Sequence, residues 1–439
     1  MGNTNGDSAF NKRTIAAALA NYIDAGSIVA GLRGLSLWVS YLKLSDTQIG
    51  LLGALSANAI SAAVGALLGG FLADKVGRKA VYTNSMLVYA LGICLVLFGV
   101  NFPMLLSGYI IIGLSVGADI TASWTIIAEN APKKNRARHC GVAQVAWAAG
   151  AVVVLLLSVL AGDLGLLGNK IVFAHLLVIA LITYILRIRL PESDAWQTKN
   201  QPEEAQAEKP AVLNKTSYFD LLKPMYLKSI LFLMGVYLVW NLAAGVMGFF
   251  MPYIYQQVGG VSANMANLLQ MGLFIFTGLG VALIFMPFAD KYRKTVFGIA
   301  AFMAVIGWTL FLLPVEGLPI LLLFIVVIGI NNGAGQQANY QLWASEIFPT
   351  QLLGASAQGL MFFLVRISIG IWSLFVPMII TNFGIGTMAA ILLGCVTASM
   401  IIGLLFAPNT SGKSLEQIQE ELYGSPQSQV KKGTESKIM

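Results

Sequence analysis

Charge is what this chain has least of. Lysine, arginine, aspartate and glutamate make up 11% of its 439 residues, against about 25% in an ordinary soluble chain, so a water-soluble globule of this length is excluded. Cysteine and histidine are nearly absent too, at three and two residues. Cys94, Cys140 and Cys395 have no metal or disulfide-framework spacing and read as small buried hydrophobes. His139, in a basic loop, and His175, near the outer end of an apolar stretch, have no carboxylate or cysteine neighbours at metal spacing. No Walker loop or dinucleotide fingerprint occurs, which disfavours an ATP-driven pump. A membrane-embedded enzyme needs a nucleophile and base, or a metal cluster, at one depth, and none is visible. Neither an enzyme nor a cofactor is expected. A cleavable signal is not evident either, because Thr14 begins a full-length apolar span.

What the chain has in abundance is hydrophobic residues, at 57%. A hydrocarbon layer about 30 Å thick takes about 20 mostly apolar residues per helical crossing, and twelve such stretches can be read. Six lie near Thr14–Tyr41, Ile49–Leu72, Lys79–Val100, Met104–Ile127, Gly141–Ala161 and Ile171–Leu190. Six more lie near Leu227–Tyr255, Ala266–Phe288, Val296–Leu313, Leu318–Ser345, Gly354–Ile380 and Thr387–Phe406. The expected organisation is an N-tail 1–13, a six-helix bundle 14–190, a charged loop 191–226, a second bundle 227–407 and a C-tail 408–439. Of the 27 lysines and arginines, only Lys43 and Lys170 fall on the outer side, while Arg33 and Arg366 fall inside spans. The rest sit in the tails and the loops of one side, which sets both termini in the cytoplasm of an inner or plasma membrane. Topology thus accounts for the net charge of +7; the lipid bilayer is a partner and nucleic acid is not.

An internal repeat divides the chain. Asp74-Lys75 recurs as Asp290-Lys291 at an offset of 216, while Glu129-Asn130-Ala131-Pro132 recurs as Glu346-Ile347-Phe348-Pro349 at 217. Pro191-Glu192-Ser193 recurs as Pro408-Asn409-Thr410, again at 217. Two duplicated halves rocking about a site between them is the architecture of alternating access. Two bundles already enclose a site, so a monomer suffices.

Gly70-Phe71-Leu72-Ala73-Asp74-Lys75-Val76-Gly77-Arg78-Lys79 resembles the cytoplasmic loop signature of the major facilitator superfamily. Gly113 to Gly117 with Glu129, Pro191-Glu192-Ser193, Glu346-Ile347-Phe348-Pro349 and Pro408 with Gly412-Lys413-Ser414-Leu415-Glu416 extend the resemblance to its sugar-porter branch, from about Asn21 to Glu416. The resemblance implies an all-α membrane fold of twelve transmembrane helices in two pseudo-symmetric six-helix bundles. It also implies a cytoplasmic charge network of Asp74, Arg78, Glu129 and Arg136 in the first half and Asp290, Arg293 and Glu346 in the second. Where the first repeat has Asn135-Arg136, the second has Leu352-Leu353, so one basic partner is missing there. By the same resemblance Gln144 matches a sugar-contacting glutamine and Asp24 a proton-site aspartate. Tyr109 stands near the place of the usual partner arginine, and Val239-Trp240 with Gly245 replace the hexose-carrier amides of the seventh span. The pattern is closer to polyol and inositol carriers or metabolite porters.

A charge at span centre costs about 3 kcal/mol on insertion scales, which makes each one a functional candidate. Asp24 and Asp119 fall at one depth, roughly 5 Å to the cytoplasmic side of midplane. Two carboxylates at one level repel and a proton relieves that, so Asp24 is expected as the main proton carrier with Asp119 as partner; the alternative is that either is salt-bridged to Arg33 or Arg366. Those two arginines either pair structurally or receive a carboxylate ligand. In the tenth span Gln336, Gln337, Asn339 and Tyr340 are expected to serve a polyhydroxylated neutral solute, since amides donate and accept and a ring covers a C–H face, and the spacing of three and four among Gln336, Asn339 and Tyr340 fits one cavity face; interhelical packing is the plainer alternative. Gln144, Trp147, Trp240 and Asn241 are further candidates. The leading expectation is a proton-coupled symporter for a sugar, polyol or inositol-like solute, and the rival is a carrier of organic or sugar acids that uses Arg33 and Arg366.

Overall fold

Backbone groups in hydrocarbon must be satisfied within their own segment, so apolar runs of this length fold as helices. The computed structural model describes residues 10–55, 59–192, 196–197, 221–313, 317–348 and 350–424. Most of the loop 191–226, including its carboxylates and lysines between 198 and 220, lies outside the described residues, as do 1–9 and 425–439.

Nine helical segments among the described residues are long and apolar enough to cross a bilayer. Two of them, Asn264–Leu310 and Gly354–Phe406, have 47 and 53 residues, over twice what one crossing needs, and each folds back once. The first turns at Tyr292, whose φ and ψ of −121° and 42° are not helical. The second turns at Gly384, where φ is 84°, a value that L side chains resist. The second expected span is two helices, Asp46–Ala54 and Ile60–Val76, the first opened by a capping box of Ser45 and Gln48. Counting Ile60–Val76 and the two folded-back segments gives the twelve crossings.

The first half comprises Lys12–Leu42, Ile60–Val76, Arg78–Leu97, Phe102–Asn130, Arg136–Leu160 and Leu166–Ile188, here the first to sixth spans. The seventh, Pro224–Phe249, continues as Met251–Gly259, with Pro252 at the break. The eighth, Ala263–Gly280, passes through a π-helical turn at Val281–Phe285. Span ten is also broken, into Leu318–Ala334 and Gln336–Ile347 around Gly335. The halves meet where the second span packs on the eleventh and the fifth on the eighth. At the first seam Gly70 faces the Ala355 carbonyl so closely that a Cβ would overlap its oxygen. Leucine and isoleucine side chains such as Leu160, Leu231, Ile299, Leu374 and Leu405 cover the outer surface, while polar side chains turn inward.

Candidate functional site

Between the halves lies about 1070 Å³ of space not filled by protein atoms. Its wall comes from the first, fourth and fifth spans on one side and the seventh, eighth, tenth and eleventh on the other. Most of it is apolar or aromatic, with Trp124, Trp147, Tyr237, Trp240, Phe274 and Phe362 supplying flat faces. Among the lining residues charge enters at one place. Asp24 of the first span meets Arg366 of the eleventh, with Nη2 at 3.3 and 3.5 Å from the two carboxylate oxygens. The Trp147 indole donates to Asp24 Oδ2 at 3.0 Å, and the guanidinium lies 4.6 Å from the Phe362 ring centroid. Both charged groups are buried, and at such depth each is sustained by the other. The pair spans the cavity from one half to the other.

The neutral polar groups divide into satisfied and open. Gln144 Nε2 donates to Gln341 Oε1 at 2.5 Å, again across the halves. The Tyr237 side chain bonds to those of Gln337 and Asn241, and Asn241 Nδ2 also donates to the Tyr237 carbonyl at 2.8 Å. Trp240 Nε1 and Asn332 Oδ1, both from lining residues, have no hydrogen-bond partner among the described residues. A donor and an acceptor left open on one wall suit a ligand that carries hydroxyl groups.

Five expected site residues are not on this wall. Gln336, Asn339 and Tyr340, expected as ligand groups, are redirected by the break at Gly335. Gln336 Oε1 accepts from Asn331 Nδ2 at 2.9 Å, and Asn339 Nδ2 donates to the carbonyls of Ala334 and Gly335 at 2.8 Å each. The Asn339 amide thus satisfies backbone that the break sets free, and the Gln336 amide is taken by Asn331. Tyr340 stacks behind Tyr237, with centroids 3.6 Å apart. Arg33 is half-buried and lies away from the cavity lining. Asp119, expected at the level of Asp24, is enclosed in the first half against Arg187, Ser85 and Ser123.

At the end of the molecule that carries the helix starts Lys12, Arg78 and Arg136, ionic groups close the seam. Arg78 lies 3.1 Å from both Asp74 and Glu129. Arg136, expected in that first-half network, crosses to Glu346 at 2.9 Å, where Arg293 also binds. Two carboxylates also accept from backbone of the opposite half: Asp290 from the Ala137 amide, at the start of its helix, and Asp74 from that of Ser356, at 2.8 Å each. Cys140 is buried next to this cluster, bonded to Ser345. Replacing Glu346 by Gln removes the charge that gathers Arg136 and Arg293. The expected result is faster labelling of Cys140 by a hydrophilic maleimide, by about tenfold for the loss of one charged hydrogen bond; an unchanged rate would mean the cluster does not hold this face shut.

The family model described as Major Facilitator Superfamily matches residues 9–373. The chain belongs to that superfamily. It is a multi-pass membrane transporter and not an enzyme. Over all 439 residues, 100% of each chain, it is 99% identical to the minor myo-inositol transporter IolF of Bacillus subtilis (strain 168). It is 24% identical to the major myo-inositol transporter IolT of the same organism, over 86% of this chain and 87% of that one. A solved structure of the proton:xylose symporter XylE, bound to 6-bromo-6-deoxy-D-glucose, superposes with a TM-score of 0.77 at 19% identity, covering 94% of this chain and 98% of that chain. That likeness speaks to the fold of this major facilitator protein.

Two contributors escaped the sequence reading. By sequence Arg187 is one more of the cations placed on the loop side of the membrane, yet it is fully buried, donating to the Ala16 carbonyl at 3.0 Å as well as to Asp119. Its position inside Leu186-Arg187-Ile188, before the loop begins, was the available signal. Trp124 lines the cavity but lies in a run of small and apolar residues that gives no hint of it.

Proposed function

We propose that this chain takes up myo-inositol or a closely related polyol together with protons, by alternating access across the inner membrane with both termini in the cytoplasm. The observation that carries the reading is the Asp24–Arg366 pair, the one charged pair among the described residues of the cavity wall, with one member from each half. A proton on Asp24 cancels its attraction for Arg366 and loosens the halves where the solute sits. The bundles 14–190 and 227–407 are the bodies that then move, and the ionic seam at the terminal face is the gate that opens.

The names of the two inositol-transporting relatives support the choice of solute, and so does the wall. Indole and phenol faces suit the C–H face of a ring. Gln144, Gln337, Asn241, Asn332 and the Trp240 indole offer donors and acceptors around it without net charge. A sugar acid would need an arginine for its carboxylate, whereas Arg366 is engaged by Asp24 and Arg33 lies off the wall.

Uptake of labelled myo-inositol by cells making the protein, with and without a protonophore, tests the proposal. Accumulation that collapses with the protonophore is expected; uptake of a hexuronate with no uptake of myo-inositol would overturn it. Gln337→Ala removes a neutral hydrogen-bonding group from the wall, which predicts a KM for myo-inositol raised about 3- to 10-fold with the maximal rate kept.

A further inference from the structure

One link between the halves reaches from the cavity wall toward the ionic seam. Gln144 lines the cavity, whereas its partner Gln341 does not and is 1% exposed. On the helix Gln336–Ile347, Gln341 follows the lining residue Gln337 by four positions and precedes Glu346 by five. At 1.5 Å per residue it sits about 6 Å from the first and about 7.5 Å from the second. The Gln144–Gln341 bridge is therefore a layer of its own between cavity and gate. Aromatic contacts of the cavity wall adjoin it at Tyr340, the residue before Gln341. Trp124, anchored through Nε1 on Asn21 Oδ1 at 3.0 Å, meets Tyr340 and Phe362 of the other half edge-on, at centroid distances of 6.4 and 6.1 Å.

Two features distinguish this bridge from ordinary helix packing. An amide turns as one planar unit, so a solute hydroxyl that engages the Gln144 amide reorients the group that holds Gln341. Gln341 Nε2, moreover, is buried with no hydrogen-bond partner among the described residues. Water entering from the terminal face would satisfy it. The closed layer is thus held by one hydrogen bond and opposed by one unmet donor.

We propose that Gln341 is the positioning residue of a ligand-operated latch. Acting through Gln144, it keeps the halves together beneath an empty cavity, and polyol binding at Gln144 releases it. The proposal rests on the polyol reading of the cavity and adds to it the means by which occupancy reaches the gate.

Cys140 reports the outcome in the full-length protein reconstituted in proteoliposomes, with Cys94→Ala and Cys395→Ala leaving it as the single thiol. In this parent, labelling by a hydrophilic maleimide is slow and myo-inositol accelerates it. In Gln341→Met, and independently in Gln341→Asn, which is too short to reach Gln144, labelling without ligand rises about fivefold, the equivalent of one hydrogen bond, and myo-inositol no longer changes it. The KM for myo-inositol counterflow stays within about twofold while the rate of proton-driven uptake falls, a split that a general loss of structure would not produce. Labelling in both variants at the parent's rate, still accelerated by myo-inositol, would overturn the latch. A parent that ignores myo-inositol would sink the polyol reading instead, and the comparison without ligand would still decide whether Gln341 closes this layer.

Discussion

Asp24→Asn is expected to abolish uphill accumulation of myo-inositol while leaving exchange down a gradient measurable. Asparagine keeps the shape and can still accept the Trp147 hydrogen bond, but it takes up no proton and offers Arg366 no charge. Removing one member of a buried pair strands the other, at about 3–5 kcal/mol where water is excluded. Arg366 borders the cavity, so water there holds the cost toward the lower end, and lower protein yield is part of the prediction. Asp24→Asn combined with Arg366→Gln leaves no stranded charge, so yield recovers and coupling does not. Radiotracer accumulation against exchange, measured side by side, separates the effects; accumulation at the parent level in Asp24→Asn would remove Asp24 from the proton path.

The second large effect is on stability. Asp119→Ala should lower the melting temperature in detergent by roughly 10 °C, from about 3–5 kcal/mol lost. Asp119 gathers Ser85 of the third span, at 3.1 Å, and Ser123 of its own. Arg187 of the sixth reaches on to the carbonyls of Ala16 and Tyr82 and lies 4.3 Å from the Tyr82 ring centroid. Four spans of the first half are thereby pinned at one point. Replacing both charges with apolar residues, as in Asp119→Leu with Arg187→Met, should recover most of the loss, because a well-packed apolar substitute for a buried pair is often neutral or better. Proton-driven accumulation per folded molecule should survive in the double variant. A normal melting temperature in Asp119→Ala, with coupling gone, would instead make Asp119 part of the proton path.

The scaffold was legible because its causes are local. Apolar length, the distribution of lysine and arginine, and the recurrence of Asp74, Glu129 and Pro191 at nearly one offset are properties of sequence alone. The cavity was legible in part. Asp24, Gln144, Trp240, Asn241, Gln337 and Arg366 were all named beforehand and all line it, because polar groups in a span have few places to go. What the sequence could not convey is partnership across distant segments. Asp24 and Asp119 look alike along the chain, and only the fold gives one a partner in the opposite half and the other a partner in its own. Gln336 and Asn339 resemble Gln337, yet beside the break at Gly335 one amide bonds to the Asn331 side chain and the other to backbone carbonyls. Arg136 reads as a member of the first-half network until the closed seam sets it beside Glu346.

On the proposed mechanism, solute and proton cross by way of one pair of charges shared by the two halves. Adding myo-inositol outside lightly buffered vesicles or cells, with no imposed gradient, and following external pH tests it most directly. Alkalinisation that accompanies myo-inositol entering, and that disappears in Asp24→Asn, is the predicted result. Myo-inositol entering with no change in pH, or the same alkalinisation in Asp24→Asn, would contradict it.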